Sequence, residues 1–316
     1  MKYRFLPLAL GVVLWASCSK EEDPQSCNNC TDSGRYSQAL FTEVEVDSLQ
    51  YDATHNLWMN IYTPKDDSAT DRRVVLLAHG GAFVSGNRNN PVMVDYATRL
   101  AEYGYVAISY DYRLASSPFM MIDSVQSLYV VANALADGNT VLEQVIASHA
   151  SGNPHGIDPD KIALAGNSAG AVLSLHMGHM DQNDAVSTNL QAAIDSAGGW
   201  SAMHDPTSSN RVKAVISLAG GIVNPSWLNA NGPELIMAHG TWDNIVPYGC
   251  GHVLNNSPSA MELCGSEPIA TQADAIGLEN ASLIFPELQH CPWNNSSALA
   301  DQVFDFLTPE LKAAMD

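Results

Sequence analysis

The chain has 316 residues, of which 46% are hydrophobic and 15% charged, a balance that describes a globular protein with ample core and not a disordered one. That length suits one large α/β domain or two modest ones. The formal net charge of -20 argues against nucleic acid or an anionic membrane surface as a partner, because both need a basic face. It suits a protein solvated outside the cell's interior.

Lys2 and Arg4 open the chain, and Phe5 to Trp15 forms an apolar run too short for a comfortable membrane span. Ala16-Ser17-Cys18 follows. This pattern resembles a bacterial lipoprotein signal, which implies that residues 1–17 are removed and that Cys18 becomes the lipidated first residue. Trp15 departs from the pattern, where such signals usually carry leucine, and an ordinary secretory signal cleaved nearby is the alternative. Residues 18–38 are polar and contain Glu21-Glu22-Asp23-Pro24, so they are expected to form a flexible tether. An acidic tether directly after the lipidated cysteine resembles the surface-export signals of some Gram-negative lipoproteins. The resemblance implies an exported protein on a bacterial envelope membrane, the outer membrane or the cell surface, touching lipid only through Cys18.

Residues 39–316 are expected to form the folded domain. Phe41 to Val46 and Leu57 to Tyr62 alternate apolar and polar residues, as antiparallel strands do. Arg73 to Ala78 is a continuous apolar run, expected of a strand buried on both faces. A helix is predicted over Val92 to Tyr103, a strand over Tyr105 to Tyr110, and a long helix over Met121 to Ser148, broken near Gly138. Lys161 to Ala165 reads as a buried strand and Ala171 to Met180 as a helix. Residues 181–210 are polar and read as an insertion. Strands follow at Val212 to Leu218, Glu234 to Ala238 and Ser282 to Pro286, and an amphipathic helix covers Ser297 to Leu307. Strands alternating with helices after an opening antiparallel pair imply a mostly parallel central sheet flanked by helices on both faces.

Gly166-Asn167-Ser168-Ala169-Gly170 lies between a predicted strand and a predicted helix. A Gly-x-Ser-x-Gly in that setting places the serine on a sharp turn with its hydroxyl exposed at the edge of the sheet. His79-Gly80-Gly81-Ala82-Phe83 follows a buried strand, and a glycine-rich loop there can turn backbone N–H groups toward a developing oxyanion. Asp243 follows the strand Glu234 to Ala238, and His290 follows the last strand. An acid there can orient and charge-stabilise an imidazole, which in turn can take the serine's proton. The chain order Ser168, Asp243, His290 is that of the α/β-hydrolases.

On these motifs the span from Phe41 to Leu307 resembles an α/β-hydrolase of the carboxylesterase type. It is similar to the hormone-sensitive-lipase-like and acyl-esterase branches, which carry His-Gly-Gly before the elbow. Tyr110-Asp111-Tyr112-Arg113-Leu114 and Asp158-Pro159-Asp160-Lys161-Ile162 also resemble those families. The resemblance implies an oxyanion hole at Gly81, Ala82 and Ala169, and Ala82 stands where many relatives have a third glycine. It implies ester hydrolysis through a Ser168–His290–Asp243 triad and an acyl-enzyme, on small-molecule or polysaccharide esters, with no metal or organic cofactor. A peptidase or amidase of the prolyl-oligopeptidase-like type is the alternative enzyme, since His-Gly-Thr-x-Asp occurs there too. A non-catalytic hydrolase-like binding protein is the other alternative.

Several residues stay open at this level. Cys27 and Cys30 are spaced for a local disulfide, and no second pair is spaced for zinc. With Cys18 set aside, five cysteines remain, so at least one thiol is unpaired within the chain. A Cys250–Cys291 bridge would clamp the acid and base loops together, whereas Cys250–Cys264 would close only a local loop. His176 and His179 lie three apart on the predicted elbow helix, but no carboxylate cluster accompanies them, which favours packing over a metal site. His79 is expected to brace the glycine-rich loop, and Arg88 and Arg113 to form salt bridges. Trp200, Trp227, Trp242 and Trp293 lie in loops where they could line an acyl pocket or stack on sugar rings, although packing is the commoner role.

Overall fold

A computed structural model of the chain describes residues 34–316. Cys18, the acidic run and the Cys27/Cys30 pair lie outside the described residues. In chain order the elements are β1 (Val44–Asp52), β2 (Leu57–Pro64), β3 (Arg72–Ala78), α1 (Pro91–Glu102), β4 (Val106–Tyr110), α2 (Ser124–Ala150), β5 (Ile157–Asn167) and α3 (Ala169–His179). Then come α4 (Thr188–Ser196), the single turns α5 (Trp200–Met203) and α6 (Pro206–Ser209), β6 (Val212–Leu218) and β7 (Glu234–Gly240). The chain closes with β8 (Cys250–His252), an irregular turn α7 (Val253–Asn256), β9 (Glu262–Cys264), α8 (Ser266–Ile276), β10 (Asn280–Phe285) and α9 (Ser297–Met315).

Eight strands form one sheet in the order β1-β2-β4-β3-β5-β6-β7-β10. β1 pairs antiparallel with β2, and β2 antiparallel with β4; from β4 to β10 all neighbours are parallel. The apolar run of β3 is buried along its whole length, because successive side chains enter opposite cores. Val74 and Leu76 pack with Leu135 of α2 and with Val172 and Leu173 of α3. Val75 and Leu77 pack with Met93 and Leu100 of α1 and with Phe304 and Leu307 of α9. This is the α/β-hydrolase architecture expected from the alternation of strands and helices.

Several elements differ from the sequence reading: β1 spans Val44–Asp52 where Phe41 to Val46 was expected, and β5 spans Ile157–Asn167 where Lys161 to Ala165 was expected. Helix α2 runs unbroken through Gly138, where a Cβ would come 2.5 Å from the Met177 sulfur. The glycine serves close packing there, not a break. Helix α9 continues past Leu307 to Met315 with Pro309 inside it. Pro309 and Asp305, the residue four before it, are both exposed, so the carbonyl that loses its donor faces water. The two-stranded β8/β9 hairpin was not foreseen, since three-residue strands leave no readable alternation.

Residues 34–38, at the end of the segment expected as a tether, are docked on the domain. Tyr36 is buried, its N–H donates to the Tyr103 carbonyl at 2.8 Å, and the Arg73 guanidinium lies 4.3 Å over its ring. Residues 181–210 fall between α3 and β6 and carry α4, α5 and α6. Among the described residues no helix is long and apolar enough to cross a membrane.

Candidate active site

Strand β5 ends at Asn167 and α3 begins at Ala169, so Ser168 alone makes the turn, at φ 56 and ψ -120. That left-handed conformation is strained for a residue with a Cβ. The turn closes because its flanking residues are glycine. A Cβ on Gly166 would sit 2.1 Å from the Gly170 backbone, and one on Gly170 would sit 2.0 Å from the Ala78 carbonyl. The Ser168 N–H donates to the Leu218 carbonyl of β6 at 2.8 Å, which pins the corner to the neighbouring strand.

Ser168 Oγ lies 2.7 Å from His290 Nε2, and His290 Nδ1 lies 2.6 Å from Asp243 Oδ2. A carboxylate only accepts, so Nδ1 carries the ring hydrogen and Nε2 is left to accept from the serine hydroxyl. Asp243 Oδ1 accepts the backbone N–H groups of Ile245 at 2.8 Å and Val246 at 3.0 Å. Burial pushes the Asp243 carboxyl up, but hydrogen bonds from His239 and His290 outweigh it and hold the group down to about 2. The Asp243 and His290 loops pass close together at Gly240, where a Cβ would fall 2.4 Å from the Leu288 carbonyl.

The glycine-rich loop turns through positive φ at Gly81, Ala82 and Phe83 in succession. Gly81 tolerates its φ of 127 and, as a glycine, leaves room for the Ser85 carbonyl. His79 braces this loop, as expected. Its ring stacks on Tyr112 at 4.2 Å, and the Tyr112 hydroxyl donates to the His79 carbonyl at 2.6 Å. Burial pushes the His79 imidazole below its ordinary pKa, so it stays neutral. The two arginines are salt-bridged as expected: Arg88 with Asp111 at 2.7 Å and Arg113 with buried Asp137 at 2.7 Å. The Tyr-Asp-Tyr-Arg segment is thus a brace behind the loop.

Beside Ser168 opens a small cavity of about 40 Å³, walled by Ala82, Phe83, Val172, Met121, Met261 and Leu263 among others. It is apolar throughout. None of the four tryptophans named above lines it. Trp293 and Trp227 are packed inside, Trp200 bonds Gln191, and Trp242 stands 60% exposed. Across Met261 the cavity adjoins a wider groove of about 630 Å³, lined by Ser124, Ser187, Asn189, Trp227, His252 and Glu262 among others. Residues of the 181–210 segment therefore wall that groove.

The active-site clamp Cys250–Cys291 is contradicted. The disulfide joins Cys250 to Cys264 across β8 and β9, and Cys291 is a free, buried thiol. Its Sγ lies 3.5 Å from His290 Nε2, and burial pushes its pKa well up, which keeps it protonated. His176 and His179 are both buried, and His176 Nε2 accepts from the Val223 N–H at 3.2 Å. Among the described residues no group of three or more His, Cys, Asp or Glu is arranged to hold a metal ion. The sequence reading missed His239, whose Nε2 lies 3.3 Å from Asp243 Oδ2. Its only signal was a position at the end of β7, four residues before the acid.

A largely parallel sheet covered on both faces, with a strained serine at the end of its fifth strand, defines an α/β-hydrolase. Comparison with known proteins gives the family. The BD-FAE family model matches residues 59–224, more than half of the chain, and the chain belongs to that family. It is 23% identical over 223 residues to a probable carboxylesterase 3 of Arabidopsis thaliana, covering 67% of each chain. It is 30% identical over 129 residues to human arylacetamide deacetylase-like 2, covering 40% of this chain and 29% of that one. Solved structures of Thermogutta terrifontis esterase 2, one phosphoramylated by tabun and one with butyrate bound, align with a TM-score of 0.59 at 22% identity. They cover 84% of this chain and 92% of theirs. The chain is a carboxylesterase-like serine hydrolase.

Proposed function

We propose that the protein hydrolyses carboxylic esters with a small acyl group through a Ser168–His290–Asp243 triad. The observation that carries this reading is the unbroken chain of contacts from Ser168 Oγ to His290 Nε2 at 2.7 Å and from His290 Nδ1 to Asp243 Oδ2 at 2.6 Å. Ser168 attacks the ester carbonyl while His290 takes its proton, and Asp243 stabilises the imidazolium that forms. His290 then returns the proton to the leaving alkoxide oxygen, and water releases the acid from the acyl-enzyme by the same steps. Backbone N–H groups of Gly81, Ala82 and Ala169 hold the oxyanion. Ala169 is the first residue of α3, so its N–H has no partner within the helix, and the helix N-terminus favours negative charge there.

The cavity beside Ser168 bears on the acyl group. Its volume of about 40 Å³ is room for roughly three water-sized probes, which suits acetyl or propionyl better than a long chain. The adjoining groove is larger and carries hydroxyl, amide and carboxylate side chains, which suits an alcohol rich in hydroxyls, such as a carbohydrate. Export, and attachment to an envelope membrane through a lipidated Cys18, belongs to the same proposal and rests on the amino-terminal sequence. A p-nitrophenyl ester series from acetyl to decanoyl tests the reading. Acetyl and propionyl esters are expected to turn over fastest, and Ser168→Ala to abolish turnover. Ester hydrolysis undiminished in Ser168→Ala would overturn it.

A further inference from the structure

Asp243 faces two imidazoles, not one. His239 Nε2 lies 3.3 Å from Asp243 Oδ2, the oxygen that also meets His290, and 3.1 Å from the Val246 carbonyl. Both of those oxygens only accept, so Nε2 carries the ring hydrogen, which bonds the Val246 carbonyl while its positive end lies against Asp243 Oδ2. Nδ1 then accepts from Ser266 Oγ at 2.9 Å. The side chains of His239 and Asp243 are each 0% exposed. A ring spent on three polar partners in a wholly buried place is not there to fill space, because an apolar residue would fill it without needing any of them.

Val246 ties the arrangement together. Its N–H donates to Asp243 Oδ1, and its carbonyl receives His239. One ring therefore fixes both the carboxylate and the turn that cradles it. We propose that His239 is a positioning residue for this chemistry, donating through Nε2 to the Val246 carbonyl and lying against Asp243 so that the carboxylate is held square to His290. The assignment rests on the esterase reading above.

The N–H of His239, against Oδ2 at 3.3 Å, adds to the three that Asp243 accepts from Ile245, Val246 and His290, and it spreads a charge that would otherwise fall more heavily on His290. The groups facing His239 are Asp243, Ser266 and the Tyr248 ring, edge-on at 5.6 Å, with Glu267 beside Tyr248. Those facing His290 are Asp243, Ser168 and the protonated Cys291 thiol. Among the described residues Asp243 is the one charged group in contact with either ring.

The test is the pH profile of kcat/KM on p-nitrophenyl acetate for wild type, His239→Leu and His239→Gln. With His239→Leu the acid limb is expected to move up by roughly half a pH unit, and kcat to fall about tenfold with KM nearly unchanged. The amide of His239→Gln reaches the Nε2 position and restores the limb. If His239→Leu fails to fold, His239→Asn replaces it, since its amide stops a bond short of the carboxylate. Coincident acid limbs in wild type, Gln and the Leu or Asn variant would overturn the assignment while leaving a Ser168-dependent esterase intact. Hydrolysis that persists in Ser168→Ala would remove the esterase reading, and the His239 proposal with it.

Discussion

Trp293 donates its indole N–H to the Asn167 side-chain oxygen at 2.8 Å, and both residues are buried. Asn167 immediately precedes the serine, and Trp293 lies three residues past His290. This bond therefore joins the His290 loop to the strand that ends before Ser168, with no Cys250–Cys291 bridge needed. In Trp293→Phe the Asn167 oxygen loses its donor inside the protein, which costs about 1–3 kcal/mol. A fall of several degrees in Tm is expected, with a drop in kcat as His290 loses its fixed distance to Ser168. Differential scanning calorimetry and steady-state kinetics on one preparation measure both. Unchanged values for both would show that the bond holds nothing in place.

Strain at Ser168 separates stability from activity. At φ 56 any side chain is disfavoured, and glycine relieves about 1 kcal/mol. Ser168→Gly is expected to melt above both wild type and Ser168→Ala, while both variants are inactive. Equal melting temperatures for the Gly and Ala variants would mean the elbow carries no strain.

The Cys250–Cys264 bridge holds the hairpin that supplies Met261 and Leu263 to the cavity wall. Closing a loop of about this length contributes about 3 kcal/mol. Reduction is expected to lower Tm and to raise the relative rate on butyryl and hexanoyl esters as that wall loosens. Acetyl ester turnover should persist, because neither Asp243 nor His290 is tethered by the bridge. Complete loss of acetyl ester turnover in a reduced, folded sample would contradict this division of labour.

Asp243 also couples stability to pH. Its folded value of about 2 lies below the ordinary 3.8, so the unfolded chain binds the proton more readily. The carboxylate's contribution, about 2 kcal/mol, is fully present above about pH 4 and is lost as pH falls toward 2. Urea denaturation of wild type and Asp243→Asn is expected to show a stability gap that narrows across that window. A gap that stays constant through it would contradict the depressed value.

Much of this was legible in the sequence, and the reasons are local. The apolar run of β3 and the Gly-x-Ser-x-Gly corner announce themselves because burial on both faces and a tight turn each demand particular residue types within a few positions. Asp243 and His290 could be placed because each follows a readable strand. Gly138 misled, because a glycine required by the Met177 side chain looks the same in sequence as one that breaks a helix. The Trp293 bond to Asn167 stayed hidden for a different reason: it joins residues 126 apart, and spacing along the chain says nothing about such pairings, which also left Cys250–Cys264 and Cys250–Cys291 equally open. His239 stayed hidden because only the turn after β7 brings its ring against Asp243, four residues on.

The central claim is that Ser168 is the nucleophile, and a fluorophosphonate probe tests it most directly. Peptide mapping by mass spectrometry is expected to find the adduct on Ser168 in wild type and no adduct in Ser168→Ala, with ester turnover lost in step with labelling. An adduct on another residue, or full turnover by protein labelled at Ser168, would contradict the account.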